Sequence, residues 1–108
     1  MTWYEKVIAA HIAACGEETP AVSHSERLKS DRYFVWQEDG ADDLDADGAH
    51  SELAMTGRTD LYTKTEFDPW GAALGAAFDL YGILWSLVLC DYEPETRTWH
   101  WSWDWTVI

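Results

Sequence analysis

Three aspartates at alternate positions, followed by a glycine, give the arrangement in this chain that most resembles a metal site. They are Asp43, Asp45 and Asp47, and Gly48 follows them. In a calcium-binding loop the oxygens at positions 1, 3 and 5 converge on the ion, and glycine at position 6 allows the turn. The match ends there, because position 12 is Ala54 where such loops have a bidentate glutamate. A solvated acidic loop is the alternative to a weak divalent-cation site, and we expect no other cofactor.

Catalytic motifs are missing from the sequence. It contains no nucleophile elbow, phosphate-binding loop, zinc signature or dinucleotide fingerprint. Asp104 is the nearest candidate for carboxylate chemistry, but its polar neighbours would not separate its pKa from that of a second acid, as glycosidases require. The alternating tryptophans of residues 99–105 could stack sugars or bases, yet a domain this small needs them in its core.

Composition limits the class of protein. The chain has 108 residues, 47% of them hydrophobic, which suits one domain spanning residues 1–108. Its net charge of -13, from 20 acids against 7 Lys and Arg, argues against phosphate-backbone binding and against docking on an anionic membrane. The charge permits a basic partner, divalent cations, or a surface that must repel nucleic acid.

The expected cellular location rests on the absence of targeting and membrane-spanning patterns from the sequence. No basic region followed by an apolar core begins the chain, and no run of about 18 apolar residues follows, so we expect neither a signal peptide nor a membrane span. The two cysteines, Cys15 and Cys90, are too few for a disulfide framework. We therefore expect reduced thiols and a protein that acts in a cytosol or in an assembly built there.

Capping signals predict two helices. Thr2 and Glu5 form a capping box before a helix that runs to about Cys15 and stops at Gly16. Within it, His11 is expected to be a partly buried, hydrogen-bonded histidine and not a metal ligand. Asp68 and the following proline open a second helix that runs to about residue 81.

Residue alternation predicts the strands. Residues 32–37 and 50–66 form a hairpin across the acidic segment Glu38–Asp47, which is expected to be a solvated, mobile loop. Residues 16–31 are expected to form a surface loop. Residues 83–92, apolar on both faces, suggest a central strand. The last strand places its tryptophans on one face. A two-residue turn would set them beside Cys90, Val88, Ser86 and Leu84. An odd-length turn would set Trp99, Trp101 and Trp103 beside Leu89, Leu87 and Trp85, and it is the favoured register because it buries more apolar surface.

These elements predict an α+β fold. The order is helix, hairpin, helix, hairpin, and the natural closure packs two helices on one face of a four-stranded antiparallel sheet. Gly71 and Gly75 make the second helix small-sided, which serves either packing inside the domain or a subunit interface. If the tryptophans face the core, the polar face of the last strand is the candidate for subunit contact. Its residues are His100, Ser102 and Asp104.

In its order of elements and in several sequence stretches, the chain resembles the tail terminator group of tail-completion proteins from long-tailed bacteriophages and prophages. The similarity lies in residues 54–68, in Tyr33-Phe-Val-Trp36, and in the final hairpin ending Trp-Asp-Trp-Thr-Val. With the second helix these stretches cover roughly two-thirds of the chain. Head–tail joining proteins are similar in the same features.

The resemblance implies a structural protein of the virion, without enzymatic activity. Such proteins form a homo-oligomeric ring, commonly a hexamer, that caps the tail tube, docks to the head connector and lets DNA pass without binding it. They assemble in the host cytoplasm and end in the virion tail. Six copies would carry six times -13, or -78, so an acidic bore would repel the passing polyanion. On this hypothesis the bore or ring rim is lined by Glu38, Asp39, Asp42, Asp43, Asp45 and Asp47.

Two readings from other classes compete with the ring. A small acidic monomer could mimic DNA and inhibit a nucleic-acid-binding protein, with its acids spaced like phosphates. The chain could also be a small calcium- or sugar-binding module.

Overall fold

The computed structural model describes the backbone of residues 1–16, 21–46 and 49–108, and the side chains of these residues except 42–46 and 49–53. The elements in chain order are α1 (Trp3–Cys15), β1 (Val22–His24), β2 (Arg32–Ala46), β3 (Ala49–Thr63), α2 (Pro69–Leu80), β4 (Leu84–Glu93) and β5 (Thr98–Val107).

The five strands form one mixed sheet with the order β1-β2-β3-β5-β4. β1 runs parallel to β2, and the other neighbours are antiparallel. The predicted four-stranded antiparallel sheet with helix-hairpin-helix-hairpin packing is therefore wrong.

The strand that the sequence did not reveal is β1. Its three residues pair with Phe34, Val35 and Trp36, and the Phe34 amide donates to the Ala21 carbonyl at 2.7 Å. Three residues of mixed polarity show no periodicity, so this part of the chain was predicted to be loop. What places it is the edge of β2, where the ring of His24 lies 4.2 Å from that of Trp36.

The acidic segment is strand in most of its length, which contradicts the predicted loop. β2 continues to Ala46 and pairs with β3 as far as Ala49. A strand sends successive side chains to opposite faces, so dense charge along the sequence does not by itself exclude one. Asp47 and Gly48 lie outside the described residues.

This hairpin projects beyond the rest of the sheet. The pairing of β3 with β5 ends at Met55 and Val107, whereas its pairing with β2 continues to Ala49. The molecule is elongated accordingly, with extents of 50 × 24 × 22 Å.

The helix boundaries follow the predicted caps. The Thr2 amide donates to Glu5 Oε1 at 3.0 Å, and the Glu5 amide donates to Thr2 Oγ1 at 3.2 Å, which confirms the capping box. Gly16 ends α1 with a φ of 73°. Asp68 caps α2 by accepting from the Trp70 amide at 3.0 Å.

One apolar core lies between the helices and one face of the sheet. It joins α1, α2 and four of the strands; its members include Val7, Ala10, Phe34, Leu61, Leu74, Phe78, Trp103 and Trp105. The alternation of β5 is confirmed, because Trp103 and Trp105 are 1% and 2% exposed whereas Asp104 between them is exposed. Trp103 and Trp105 therefore fill the core, Trp101 packs against it while partly exposed, and Trp99 packs on Tyr92 of β4.

β4 lies at an edge of the sheet, so the predicted central strand is wrong. The register prediction is wrong as well: Trp85 lies opposite Trp105, Leu87 opposite Trp103, and Tyr92 opposite Trp99. A bulge between Leu87 and Leu89 shifts the pairing midway along the strand. Sequence alternation cannot locate such a bulge, because one extra residue reverses the faces beyond it.

Candidate functional site: an exposed apolar edge strand

The strongest candidate for a functional surface is β4. Every residue from Leu84 to Tyr92 is exposed, and six of them are large and apolar: Leu84, Trp85, Leu87, Val88, Leu89 and Tyr92. Their exposed fractions run from 38% to 72%, which leaves roughly 500 Å² of side-chain surface in water if each offers about 200 Å². Successive side chains of a strand point to opposite faces, so this apolar surface is divided between the two faces of the sheet along the open edge. Exposed apolar surface of this extent is typical of interaction sites.

The edge of β4 also lacks the usual protection against pairing. Natural edge strands are short, or carry Lys, Pro or inward charges, because their unpaired amides and carbonyls would otherwise recruit another chain. β4 has ten residues, and residues 84–90 contain no charge and no proline. The bulge near Val88 is its one interruption.

A groove runs between α2 and the helix-facing side of β4. It has a volume of about 480 Å³; its lining includes Phe67, Ala72, Ala76, Trp85, Leu87 and Trp101. Trp85 forms one wall, and its indole Nε1 donates to Asp79 Oδ1 at 2.9 Å. Phe67 stands at the rim, 82% exposed and at a φ of 54°, which is rare for a bulky side chain.

The two glycines predicted for the subunit interface lie beneath this groove. A Cβ at Gly71 would stand 2.5 Å from the Trp101 ring, and one at Gly75 would stand 2.8 Å from the Trp85 ring. Close packing of α2 on the sheet accounts for both glycines within one chain. A role for them between subunits stays a prediction.

A partly buried ion pair links α2 to the sheet: the Asp68 side chain is fully buried, whereas the Arg32 side chain is 40% exposed. Arg32 of β2 donates to both carboxylate oxygens of Asp68, from Nε to Oδ2 at 2.8 Å and from Nη2 to Oδ1. Burial alone would raise the pKa of Asp68, but hydrogen bonds from Arg32, Thr63 and the Trp70 amide outweigh it and hold the pKa below its ordinary value. The Arg32 guanidinium also lies 3.8 Å from the ring centre of Trp70. The groove wall is thereby fixed relative to β2.

The three polar residues predicted for subunit contact lie on the face of β5 away from the helices. His100 is stacked on Tyr62 at 4.5 Å, and its Nε2 is 2.7 Å from Asp60 Oδ1. Ser102 is 2% exposed. Asp104 accepts from Arg58 Nε at 3.1 Å, a bond that raises the pKa of Arg58.

Of these three residues only Asp104 is largely exposed. His100 is already engaged within the chain and Ser102 is covered, so Asp104 has the most surface to offer a second subunit. Their shared role in assembly stays a prediction.

The acidic residues are described only in part. Asp39 is exposed and accepts from Thr56 Oγ1 at 2.7 Å. Glu38 is 2.8 Å from His24 Nε2, and that hydrogen bond lowers the pKa of Glu38. The side chains of Asp42, Asp43 and Asp45, and all of Asp47, lie outside the described residues, so the predicted cation site and rim position stay predictions.

Elsewhere in the described residues, no three His, Cys, Asp or Glu side chains converge as metal ligands would. Neither α1 nor α2, the helices of the described ranges, is long and apolar enough to cross a membrane.

Comparison with known proteins adds no relative. No protein-family model matches the chain, and a search of curated proteins finds no match. The arguments for function therefore rest on the residues and their arrangement.

The edge strand is the functional feature that sequence reasoning missed. Uninterrupted apolar residues were interpreted as a sign of burial on both faces, which is the usual reason for such a run. The missing signal was the number of strands able to flank it, since in the described part of the chain β4 pairs with β5 alone.

Proposed function

We propose that the protein is a non-enzymatic structural subunit that assembles with copies of itself through β4, and that the assembly is a tail-completion ring of a bacteriophage or prophage. The observation that carries the proposal is the ten-residue apolar edge strand. Covering it with a second strand removes apolar area from water and pairs its open backbone groups.

The charge of the chain fits a ring that DNA passes through. Each copy contributes -13, and the segment from Glu38 to Asp47 concentrates six acids. A bore lined by carboxylates offers phosphates no cations to bind, so DNA would move without sticking. The resemblance of residues 54–68 and of the final hairpin to tail terminators supports this choice among ring-forming proteins.

Assembly is tested by light scattering during gel filtration, over a range of protein and salt concentrations. The wild type should form a closed oligomer of one size. Leu87→Lys should remain monomeric, because a charge on the edge would have to be buried. Tyr4→Lys is the matched control: Tyr4, on α1, is 47% exposed and Leu87 is 46% exposed. A wild type that stays monomeric throughout would overturn the proposal.

The tail assignment has its own test. Replacing the six acids of residues 38–47 by Asn and Gln should leave the fold intact but reduce the yield of infectious phage, through slower DNA passage or weaker ring assembly. Unchanged yield would refute an acidic bore. Genes for tail-tube and connector proteins beside this one would support the assignment, and their absence would count against it.

A second candidate is a monomeric DNA mimic. It gains support from the finding that the acidic segment is strand, because same-face residues in a strand repeat every ~7 Å, a regular spacing that a phosphate mimic needs. The apolar edge of β4 has no part in such a function. A monomer that competes with DNA for a basic protein would favour this candidate.

A further inference from the structure

The sheet has a second open edge, on the side opposite β4. β1 covers only Phe34–Trp36 of β2, and within the described ranges no strand flanks residues 37–46 on that side. Ser25 explains why β1 stops there. It takes a φ of 70°, and its amide donates to the Trp36 carbonyl at 2.9 Å, the last backbone hydrogen bond between this segment and β2 among the described residues.

The two open edges match in length and direction. The uncovered part of β2 has ten residues, as β4 has. Going across the sheet from β2 to β3, β5 and β4, each step reverses the strand direction. A copy placed beside β4 in the same orientation therefore presents its β2 antiparallel to β4. The helices of both copies then lie on the same side of one continuous sheet.

We propose, building on the assembly function above, that the subunit contact is head-to-tail: β4 of one copy pairs antiparallel with residues 37–46 of β2 in the next copy. When unlike edges pair, every row of subunits still has an open β2 edge at one end and an open β4 edge at the other. Such contacts continue until they close into a ring, whereas a contact of β4 with itself stops at a dimer.

The charges argue against pairing of the β2 edge with itself. Residues 37–46 contain five acids and no cation, so this edge would repel a copy of itself. Residues 84–90 of β4 carry no charge, so they bring no like charge to most of the contact. The whole molecules still repel each other at -13 apiece, so the contact should strengthen as salt is added.

The contact can be trapped with a thiol that the chain already carries. Cys90 is exposed on β4 opposite Trp101, and exposed Ala41 lies in β2 opposite Met55. Trp101 and Met55 both pack against the core under the helices, so Cys90 and Ala41 share that face of the sheet. Aligning Leu84 with Ala46, and leaving Val88 unpaired as the bulge that it already forms in β4, sets Cys90 of one copy opposite Ala41 of the next, at a separation that a disulfide can span.

The experiment uses the full chain with Cys15→Ser, with and without Ala41→Cys, under mild oxidation at protein concentrations where it assembles. Ala41→Cys should give a ladder of covalent dimers, trimers and larger species. Adjacent thiols react at an effective concentration in the millimolar range, about a hundredfold above that of tens of micromolar free protein. Ala13→Cys, at an exposed alanine on α1, is the matched control and should give no ladder, and Cys90→Ser should abolish it.

Each other outcome has a distinct meaning. Assembly without the ladder would overturn the head-to-tail contact and leave the structural function standing. Covalent dimers from Cys90 alone would show that β4 pairs with itself, and would also overturn it. A protein that never assembles would overturn both proposals.

Discussion

Acidification should destabilise this protein through a single buried side chain, that of His11. Its ring is fully buried, with Nδ1 2.6 Å from the Val7 carbonyl oxygen and Nε2 2.8 Å from Thr59 Oγ1. A carbonyl only accepts, so Nδ1 carries the proton and Nε2 accepts from the Thr59 hydroxyl. That hydroxyl oxygen in turn accepts from Trp105 Nε1 at 2.9 Å. The network fits a neutral imidazole and leaves no acceptor for a second proton.

The size of the effect follows from the pKa. Burial lowers the pKa of His11 from 6.5 to about 4, although the bond to the Val7 carbonyl opposes the change. The folded protein therefore resists protonation that the unfolded chain accepts. The associated stability is complete above pH 6.5 and is lost as the pH falls towards 4. The loss amounts to about 2 kcal/mol at pH 5 and ~3 kcal/mol below pH 4.

Urea unfolding at pH 7.5 and pH 5 measures this loss, with His11→Gln as the reference. Glutamine keeps a donor and an acceptor but does not titrate, and all other groups titrate alike in both proteins. The wild type should lose about 2 kcal/mol more than the variant between the two pH values. Equal losses would refute the assignment of His11 as a neutral, buried group.

Three further predictions concern the core and the charge. Trp103→Ala should cost ~3–5 kcal/mol of unfolding free energy, because Trp103 is 1% exposed at the centre of the sheet; a cost below 1 kcal/mol in urea unfolding would contradict its role in the core. Gly57→Ala should lower the free energy of unfolding by ~1–3 kcal/mol, because the new Cβ would meet the Trp105 ring at 2.3 Å and the Gln37 carbonyl at 2.7 Å. An unchanged melting temperature would show that the indole moves aside freely. Self-association should strengthen as salt rises from about 0.05 to 0.5 M, and weakening in light scattering would mean that attraction between charges drives the contact.

Local signals were sufficient for the elements whose ends or faces are set by neighbouring residues. The capping box of Thr2 and Glu5 and the cap at Asp68 concern atoms within three residues of each other, so the sequence contains the whole interaction. The signal from the tryptophans is equally local, because apolar residues at every second position indicate a strand with one apolar face. His11 is hydrogen-bonded as predicted, but it is fully buried where the sequence predicted partial burial, because its partner Thr59 comes from a strand 48 residues away.

Features that depend on distant residues were predicted wrongly. β1 exists because β2 offers it an edge, and the acidic part of β2 is a strand because β3 pairs with it to Ala49. Neither partner can be read from the segment itself. The glycines of α2 were visible in the sequence, but only the packing reveals that Trp101 and Trp85 occupy the space they leave.

The sequence by itself determined that this is a small acidic domain with two capped helices and a tryptophan strand facing the core. Those properties are sums over residues or patterns within one segment. Only the tertiary structure decided that β4 is an edge and not a centre, because the position of a strand depends on how many others can flank it. The candidate functional surface arises from that position: the same apolar residues would be core between two strands, and beside one strand they are exposed.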